Sequence, residues 1–155
     1  MKLYLLFIFQ LYALMSIGQM DTEVYLLLKE GTAVQLSDKI DLLEGKTNKS
    51  NLSLCYVGAL KAKKSSYLAT PKQKVQEFKA GAGKIEEAIA LDSKNVELIF
   101  LRYIIQCNSP KIARYKDKID TDKYFLESQN KTFRKALYKV IQDFNGDQPE
   151  YKIKL

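Results

Sequence analysis

The sequence predicts an all-α fold of antiparallel helical hairpins, with about five or six helices in a single domain. Apolar residues recur at helical spacing through most of the chain after Gln19, whereas strand-like alternation never persists for more than a few positions. One continuous stripe shows the helical period clearly, because its members are three, four, three and four residues apart: Val75, Phe78, Ala82, Ile85 and Ile89.

Two short helices are predicted ahead of residue 46. Asp21 or Thr22 can cap the first helix, and Gly31 interrupts or ends it. The second continues to Gly45, since glycine is common just beyond a helix C-terminus. The apolar stripe of the two helices comprises Val24, Leu27, Leu28, Val34, Leu36, Ile40 and Leu43. Residues 46–50 are polar and predict a loop.

Pro71 marks the boundary between the next two helices. Asn51 or Ser53 opens the earlier one, which must stop near Thr70 because proline disfavours helical backbone in the residue before it. Pro71 itself suits the first turn of the helix that follows.

Two glycines interrupt the bulk of that following helix, Gly81 and Gly83, within the run Ala-Gly-Ala-Gly. A glycine inside a helix costs about 1 kcal/mol relative to alanine. Their presence therefore predicts that a neighbouring helix packs close to this backbone.

Residues 96–107 are apolar on nearly every face of a helix, which predicts a helix at the centre of the domain. A short capped turn over residues 92–95 precedes it, and Pro110 marks its end. Residues 111–120 are basic and predict an irregular connection.

A last long helix is predicted from Thr121 or Asp122 to the Asn145-Gly146 pair. Its apolar stripe is Leu126, Phe133, Leu137, Val140 and Phe144. Residues 147–155 are expected to fray.

Residues 1–18 have the organisation of a secretory signal peptide. Lys2 supplies a positive charge, residues 3–15 are apolar except for Gln10, and small residues precede an expected cleavage ahead of Gln19. The alternative is a retained membrane anchor, but crossing a bilayer needs about twenty apolar residues. We therefore expect a periplasmic or secreted protein with no stable membrane insertion after cleavage, and one domain over residues 19–146.

Cys55 and Cys107 are the two cysteines of the chain. In an oxidising compartment they can form one disulfide. Each lies in an apolar helical stretch, so two buried thiols are the other possibility. Pairing depends on a distance that the sequence does not contain.

Composition excludes several kinds of enzyme. The chain has no histidine, which removes Ser-His-Asp and Cys-His catalysis and every histidine-ligated metal site. No cofactor or metal motif is expected. The formal net charge is +7, but acidic residues lie among the lysines, so we expect a solvated surface and no nucleic-acid partner.

Residues 88–95 carry a helical-repeat pattern. Their sequence, Ala-Ile-Ala-Leu-Asp-Ser-Lys-Asn, resembles the end of the second helix of a tetratricopeptide repeat (TPR) and its turn, where A-L-x-L-D-P-x-N is favoured. Ile85 and Gly81 match the large and small packing positions of that helix. Ser93 replaces the usual proline, and no second copy follows at a period of about 34 residues, so the likeness covers about one repeat. It implies a TPR-like fold.

Residues 88–110 also resemble small exported proteins of Bacteroidota. That resemblance implies a helical protein of the periplasm. It implies no particular chemistry.

Arg102 is a permanent charge within the most apolar helix, so it must reach the surface or bind a partner. Glu86 or Glu87 on the preceding helix can supply a salt bridge. Alternatively, Arg102, Gln106 and Tyr115 can line a partner-binding groove.

These features predict an exported, non-enzymatic, helical-repeat-like domain that binds a protein or peptide, since helical repeats bind through extended concave surfaces. One alternative is a small enzyme with a pocket of Lys, Tyr and carboxylate groups. The other is a structural protein attached to the envelope through its basic surface.

Overall fold

All regular secondary structure in the described part of the chain is helical. The computed structural model describes residues 20–47 and 50–155, and no strand occurs among them. Over these residues the α-helices are α1 (Thr22–Glu30), α2 (Ala33–Glu44), α3 (Asn51–Lys64), α4 (Pro71–Leu91), α5 (Val96–Cys107), α6 (Ile119–Ser128) and α7 (Lys135–Asp147). Short 3-10 turns follow α3, α5, α6 and α7. The predicted all-α class is confirmed, with more helices than the five or six expected.

Polar side chains cap α3, α4 and α5 close to where the sequence predicted these helices to begin, whereas α1, α6 and α7 have no side-chain cap. The Thr70 hydroxyl accepts a hydrogen bond from the Gln73 N–H at 3.3 Å, and the Gln73 side chain accepts one from the Thr70 N–H at 3.2 Å. Pro71 is the first residue of α4, as expected. The Asn95 side chain caps α5. The cap of α3 is Ser50, one residue before the earliest predicted position.

Helices α3 and α4 pack backbone against backbone at a pair of glycines. A Cβ added to Gly58 would lie 2.6 Å from the carbonyl oxygen of Gly81, and one added to Gly81 would lie 2.5 Å from that of Gly58. Gly81 also faces Ala62, while Ile85 faces Gly58, so the two helices are antiparallel. The predicted close approach is confirmed at Gly81. Gly83 faces open space.

Helix α5 lies at the centre, as its composition predicts. Its buried apolar residues are Leu98, Ile99, Phe100, Leu101, Tyr103, Ile105 and Cys107. Helices α3, α4 and α6 pack against it. Because every face of α5 is covered, the rest of the domain is arranged around this one helix.

Aromatic contacts attach the first and last helices to α5. The ring of Tyr25 in α1 stacks on Phe100 with a centroid separation of 6.0 Å. Phe144 in α7 contacts Phe100 and Tyr103 edge-on at 5.7 and 5.9 Å. Such pairs contribute about 0.5–1.5 kcal/mol each beyond the area they bury. They bring together segments that are distant in sequence.

The predicted last helix is wrong in two respects, because it begins at Ile119, ahead of the predicted cap at Thr121 or Asp122, and because it is divided into α6 and α7. Two hydroxyls between the helices bond to carbonyls three residues earlier: Ser128 donates to Phe125 and Thr132 donates to Gln129, each at 2.7 Å. Such local bonds give the backbone an alternative to helix. Phe133 and Arg134 are extended, and the chain changes direction there.

The C-terminal residues 147–155 do not fray, contrary to expectation. Ile153 is fully buried, and its backbone N–H and C=O both bond to the Asn145 side chain at 2.8 Å. The Tyr103 hydroxyl donates to the Tyr151 carbonyl at 2.8 Å. The tail is therefore held by one buried side chain and by specific hydrogen bonds.

Val34 was expected in the core but is 68% exposed. It precedes the buried Leu36 by two residues, which places it about 200° around the helix, on the solvent side. The other α2 members of the stripe, Ile40 and Leu43, are buried.

The proposed signal peptide, residues 1–18, lies outside the described residues. Among residues 20–47 and 50–155, no helix has the length and apolarity that a membrane crossing requires.

The two glycines of α4 should respond oppositely to alanine. Gly81→Ala should destabilise the fold by about 3 kcal/mol, because its methyl group would force the α3 and α4 backbones apart. Gly83→Ala should stabilise it by about 0.5–1 kcal/mol, because nothing lies near the new methyl group. Urea unfolding measures both. Equal stability of Gly81→Ala and the wild type would contradict the tight crossing.

Candidate functional site

Arg102 is held by two carboxylates at the junction of α4, α5 and α6. Its Nε and Nη2 donate to the two oxygens of Asp122 at 2.8 and 2.6 Å, and its Nη1 donates to Glu86 at 2.9 Å. Arg102 is 7% exposed and Asp122 is 2% exposed. This two-pronged geometry is the strongest form of an arginine–carboxylate pair. The predicted salt bridge to Glu86 is present, while Glu87 is exposed and takes no part in this contact.

Glu86 extends this cluster to the connection between α5 and α6. It accepts from the Tyr115 hydroxyl at 2.7 Å and from the Lys118 ammonium at 3.1 Å. Burial acts to raise the pKa of Glu86, but the hydrogen bonds from Tyr115 and Lys118 and the charge of Arg102 outweigh it and hold the pKa below its usual value. Glu86 is therefore a charged, structural carboxylate at neutral pH.

Gln106 completes the same network. Its side-chain amide donates to Asp122 at 2.7 Å and accepts from the Lys118 backbone N–H at 3.0 Å. Gln106 is fully buried. The structure thus brings Arg102, Gln106 and Tyr115 together as expected, but they join helices to each other. Their polar groups already bind other groups of the chain. That they line a partner-binding groove stays a prediction.

A second buried cluster surrounds Glu97 at the start of α5. Its Oε1 accepts hydrogen bonds from the hydroxyls of Tyr25 and Tyr56, and Arg134 lies 3.5 Å from its other oxygen. Glu97 is 2% exposed. Burial raises its pKa, and the hydrogen bonds from the tyrosines and the Arg134 charge only partly oppose that effect. Tyr56 in turn accepts from the Asp21 N–H at 3.0 Å.

The tyrosines of both clusters are poor acids. Burial raises the pKa of Tyr25 and Tyr56, and the Glu97 charge raises them further. Burial and the hydrogen bond to Glu86 likewise raise the pKa of Tyr115. These phenols stay protonated at neutral pH and act as hydrogen-bond donors.

Both cysteines are free and buried, which is the second of the two possibilities left open by the sequence. Burial raises the pKa of Cys107 to about 12 and raises that of Cys55 further. Since the thiolate is the reactive form, neither sulfur is activated as a nucleophile.

Sequence reasoning missed the two most buried carboxylates. Asp122 was expected to cap a helix, and it binds Arg102 instead. Glu97 could have been found by the argument used for Arg102, because it is a charged residue within the same apolar helix.

A groove of about 410 Å³ opens elsewhere, where the ends of α3 and α5 meet the start of α4. Its apolar lining is Leu28, Ala62, Phe78, Ile104, Ile105 and Pro110. Its polar lining is Lys63, Ser65, Ser66, Lys74 and Asn108. The size lies in the range of sites that hold small molecules or side chains of a partner. No sequence motif indicated it, because its members come from four helices and two turns.

The polar groups of the described residues are largely satisfied within the chain. Among these residues, no buried side-chain nitrogen or oxygen lacks a hydrogen-bond partner. In the same part of the chain, no three or more Cys, Asp or Glu side chains are grouped to hold a metal ion.

Breaking the Arg102 pair should destabilise the protein strongly. Asp122→Ala should cost about 3–5 kcal/mol in unfolding free energy, because it leaves the buried guanidinium with one carboxylate instead of two. Lys118→Ala is the control: its ammonium binds Glu86 at the surface, so the loss should stay below about 1 kcal/mol. Urea denaturation of both variants measures the difference, and similar losses would contradict a central role for the buried pair.

Glu97→Gln should change how stability depends on pH. Glutamine keeps an oxygen to accept from both tyrosines. The pKa of Glu97 is raised in the folded protein, so its carboxyl binds a proton more tightly there than in the unfolded chain. In the unfolded chain a glutamate has a pKa of about 4.3. The wild type therefore loses stability relative to the variant as pH rises from about 4 through the folded pKa of Glu97.

Urea unfolding at about pH 4 and about pH 8 measures this trend. Glu87→Gln is the matched control, because it makes the same chemical change at an exposed site. If the unfolding free energies of the wild type and Glu97→Gln differed by the same amount at both pH values, the pKa of Glu97 would not be raised by burial.

In comparisons with known proteins, no family model, no curated protein and no solved structure matches the chain.

Proposed function

We propose that this protein is an exported, non-enzymatic helical domain that holds an apolar segment of a partner protein in its groove. The observation that carries the proposal is the groove itself, with an apolar floor that includes Phe78, Ile104 and Ile105. An apolar concavity of this size is a favourable place to bury apolar side chains of a partner.

The site chemistry favours binding over catalysis. The polar clusters around Arg102 and Glu97 bind their own chain, and none of their members lines the groove. The tyrosines and cysteines have raised pKa values, which is the opposite of what a base or nucleophile needs. A pocket enzyme would require such groups to face an open cavity.

Export is supported by the amino-terminal sequence. A basic residue, an apolar run and small residues before Gln19 together match the features that signal peptidases process. In this proposal the partner is met in the periplasm or outside the cell.

The helical hairpins support a TPR-like arrangement. α3 and α4 are antiparallel with glycines at their crossing, and the Asp92–Asn95 turn leads directly into α5. Paired helices of this kind present a concave side to a partner in helical-repeat proteins. Here the groove occupies the place where α3, α4 and α5 meet.

Photo-crosslinking in the native host tests location and binding together. A photo-reactive phenylalanine analogue placed at Ser66, an exposed groove position, should give one discrete adduct after irradiation. The same analogue at Lys94, in the exposed turn before α5, should give none. Intact mass should show that the protein part of the adduct begins at Gln19.

Ile104→Glu in the Ser66 background should abolish the adduct, because it places a charge on the apolar floor. The same adducts from both positions would argue against the groove. A membrane-bound species that retains Met1 would argue against release by cleavage.

A further inference from the structure

We infer that the segment held in this groove is acidic, with its carboxylates against Lys63 and Lys74 and its apolar side chains on the floor. This inference rests on the proposed function, and it adds the charge of the partner. The juxtaposition that carries it is an apolar floor bordered by two lysines, with no acidic residue among the eleven described lining residues.

The two lysines are available to a partner. Within the described residues neither Lys63 nor Lys74 takes part in an ion pair, whereas Lys29, Lys39, Lys61, Lys118 and Lys139 all do. The Lys63 ammonium makes one long contact of 3.5 Å, to the Lys29 carbonyl. An ammonium has three donors, so at least two remain for a bound carboxylate.

Negative partial charge at the groove is partly offset by local hydrogen bonds. The carboxyl ends of α3 and α5 meet there, and the last carbonyls of a helix are electron-rich. Ser65 donates to the Ala62 carbonyl at 2.6 Å, Ser66 donates to Lys63 at 2.9 Å, and Asn108 donates to Ile104 at 2.9 Å. These carbonyls therefore accept hydrogen bonds from the chain's own side chains. The lysine ammoniums are the charged groups of the groove that remain for a ligand.

The carboxylates of the two polar clusters do not compete for these lysines. Glu86 and Asp122 bind Arg102, and Glu97 binds two tyrosines. The whole chain carries a formal charge of +7, and the proposed cleavage before Gln19 removes only Lys2 and leaves an excess of positive charge that attracts an acidic partner at longer range. Local and global charge therefore favour the same kind of occupant.

Three designed amphipathic peptides test the inference. Each has leucine on one helical face, and the other face carries glutamate, glutamine or lysine. Fluorescence anisotropy on the purified protein should give the tightest binding for the glutamate peptide, by roughly three- to thirtyfold over the glutamine peptide. The lysine peptide should bind weakest. The preference should shrink in about 1 M salt, because salt screens exposed ion pairs.

Charge reversal at the rim provides the matched comparison. The double variant Lys63→Glu/Lys74→Glu should invert the order and prefer the lysine peptide. Lys46→Glu/Lys94→Glu makes the same change in net charge at exposed positions outside the groove, and it should keep the wild-type order. Circular dichroism confirms that all variants are folded. An inverted order in both double variants would show that only overall charge matters, and would overturn the inference.

The peptide results separate this inference from the function on which it rests. Equal binding of the glutamate and glutamine peptides, abolished by Ser66→Trp in the groove, would leave the proposed function standing and overturn the acidic partner. Binding of no peptide would overturn both.

Other occupants give other results. Binding to vesicles of anionic lipid that no peptide displaces would identify a membrane surface. Self-association that Ser66→Trp abolishes would identify a second copy of the chain. Either result would overturn the acidic peptide as the occupant.

Discussion

The central helix α5 imposes the condition that organises this protein, because its apolar faces and its charged side chains all have to be covered at once. Burying its apolar residues requires helices on every side. Burying Glu97, Arg102 and Gln106 requires partners with the right polar groups at fixed distances, since an unpaired buried charge is strongly destabilising. Tyr25 and Tyr56 supply the partners of Glu97, and Asp122 and Glu86 supply those of Arg102.

This requirement explains why segments far apart in sequence converge. α1 reaches α5 through Tyr25, which both stacks on Phe100 and donates to Glu97. α6 reaches it through Asp122. The nonpolar contacts supply most of the stabilisation, while the buried hydrogen bonds favour this arrangement of the helices, because separating α5 from these partners would leave its charges unsatisfied.

The polar side chains that bind each other inside the protein are not available to bind other molecules. The strongest polar clusters are used in holding helices together, so they do not form a reactive pocket. The groove differs from them, since its lining is largely apolar and, among the described residues, its two lysines take part in no ion pair. On this composition we base the proposal that the groove binds a partner by shape and charge.

Local sequence signals determined the helices and most of their boundaries up to α5. Thr70, Pro71 and Asn95 act on residues at most four positions away, so their effects are visible without the fold. The composition of α5 predicted its central place, and Gly81 predicted a close helix crossing. The requirement that Arg102 find a partner was also visible, and Glu86 was one of the two candidates.

Contacts between distant residues decided the rest. Asp122 is twenty residues from Arg102, Ile153 is eight from Asn145, and Tyr25 is seventy-two from Glu97. No short-range pattern encodes these separations, so the packed tail and the thiol state of the cysteines were not predictable. The groove was hidden for the same reason: the sequence by itself determined which residues are helical and apolar, whereas the space between helices exists only once tertiary packing has set their distances.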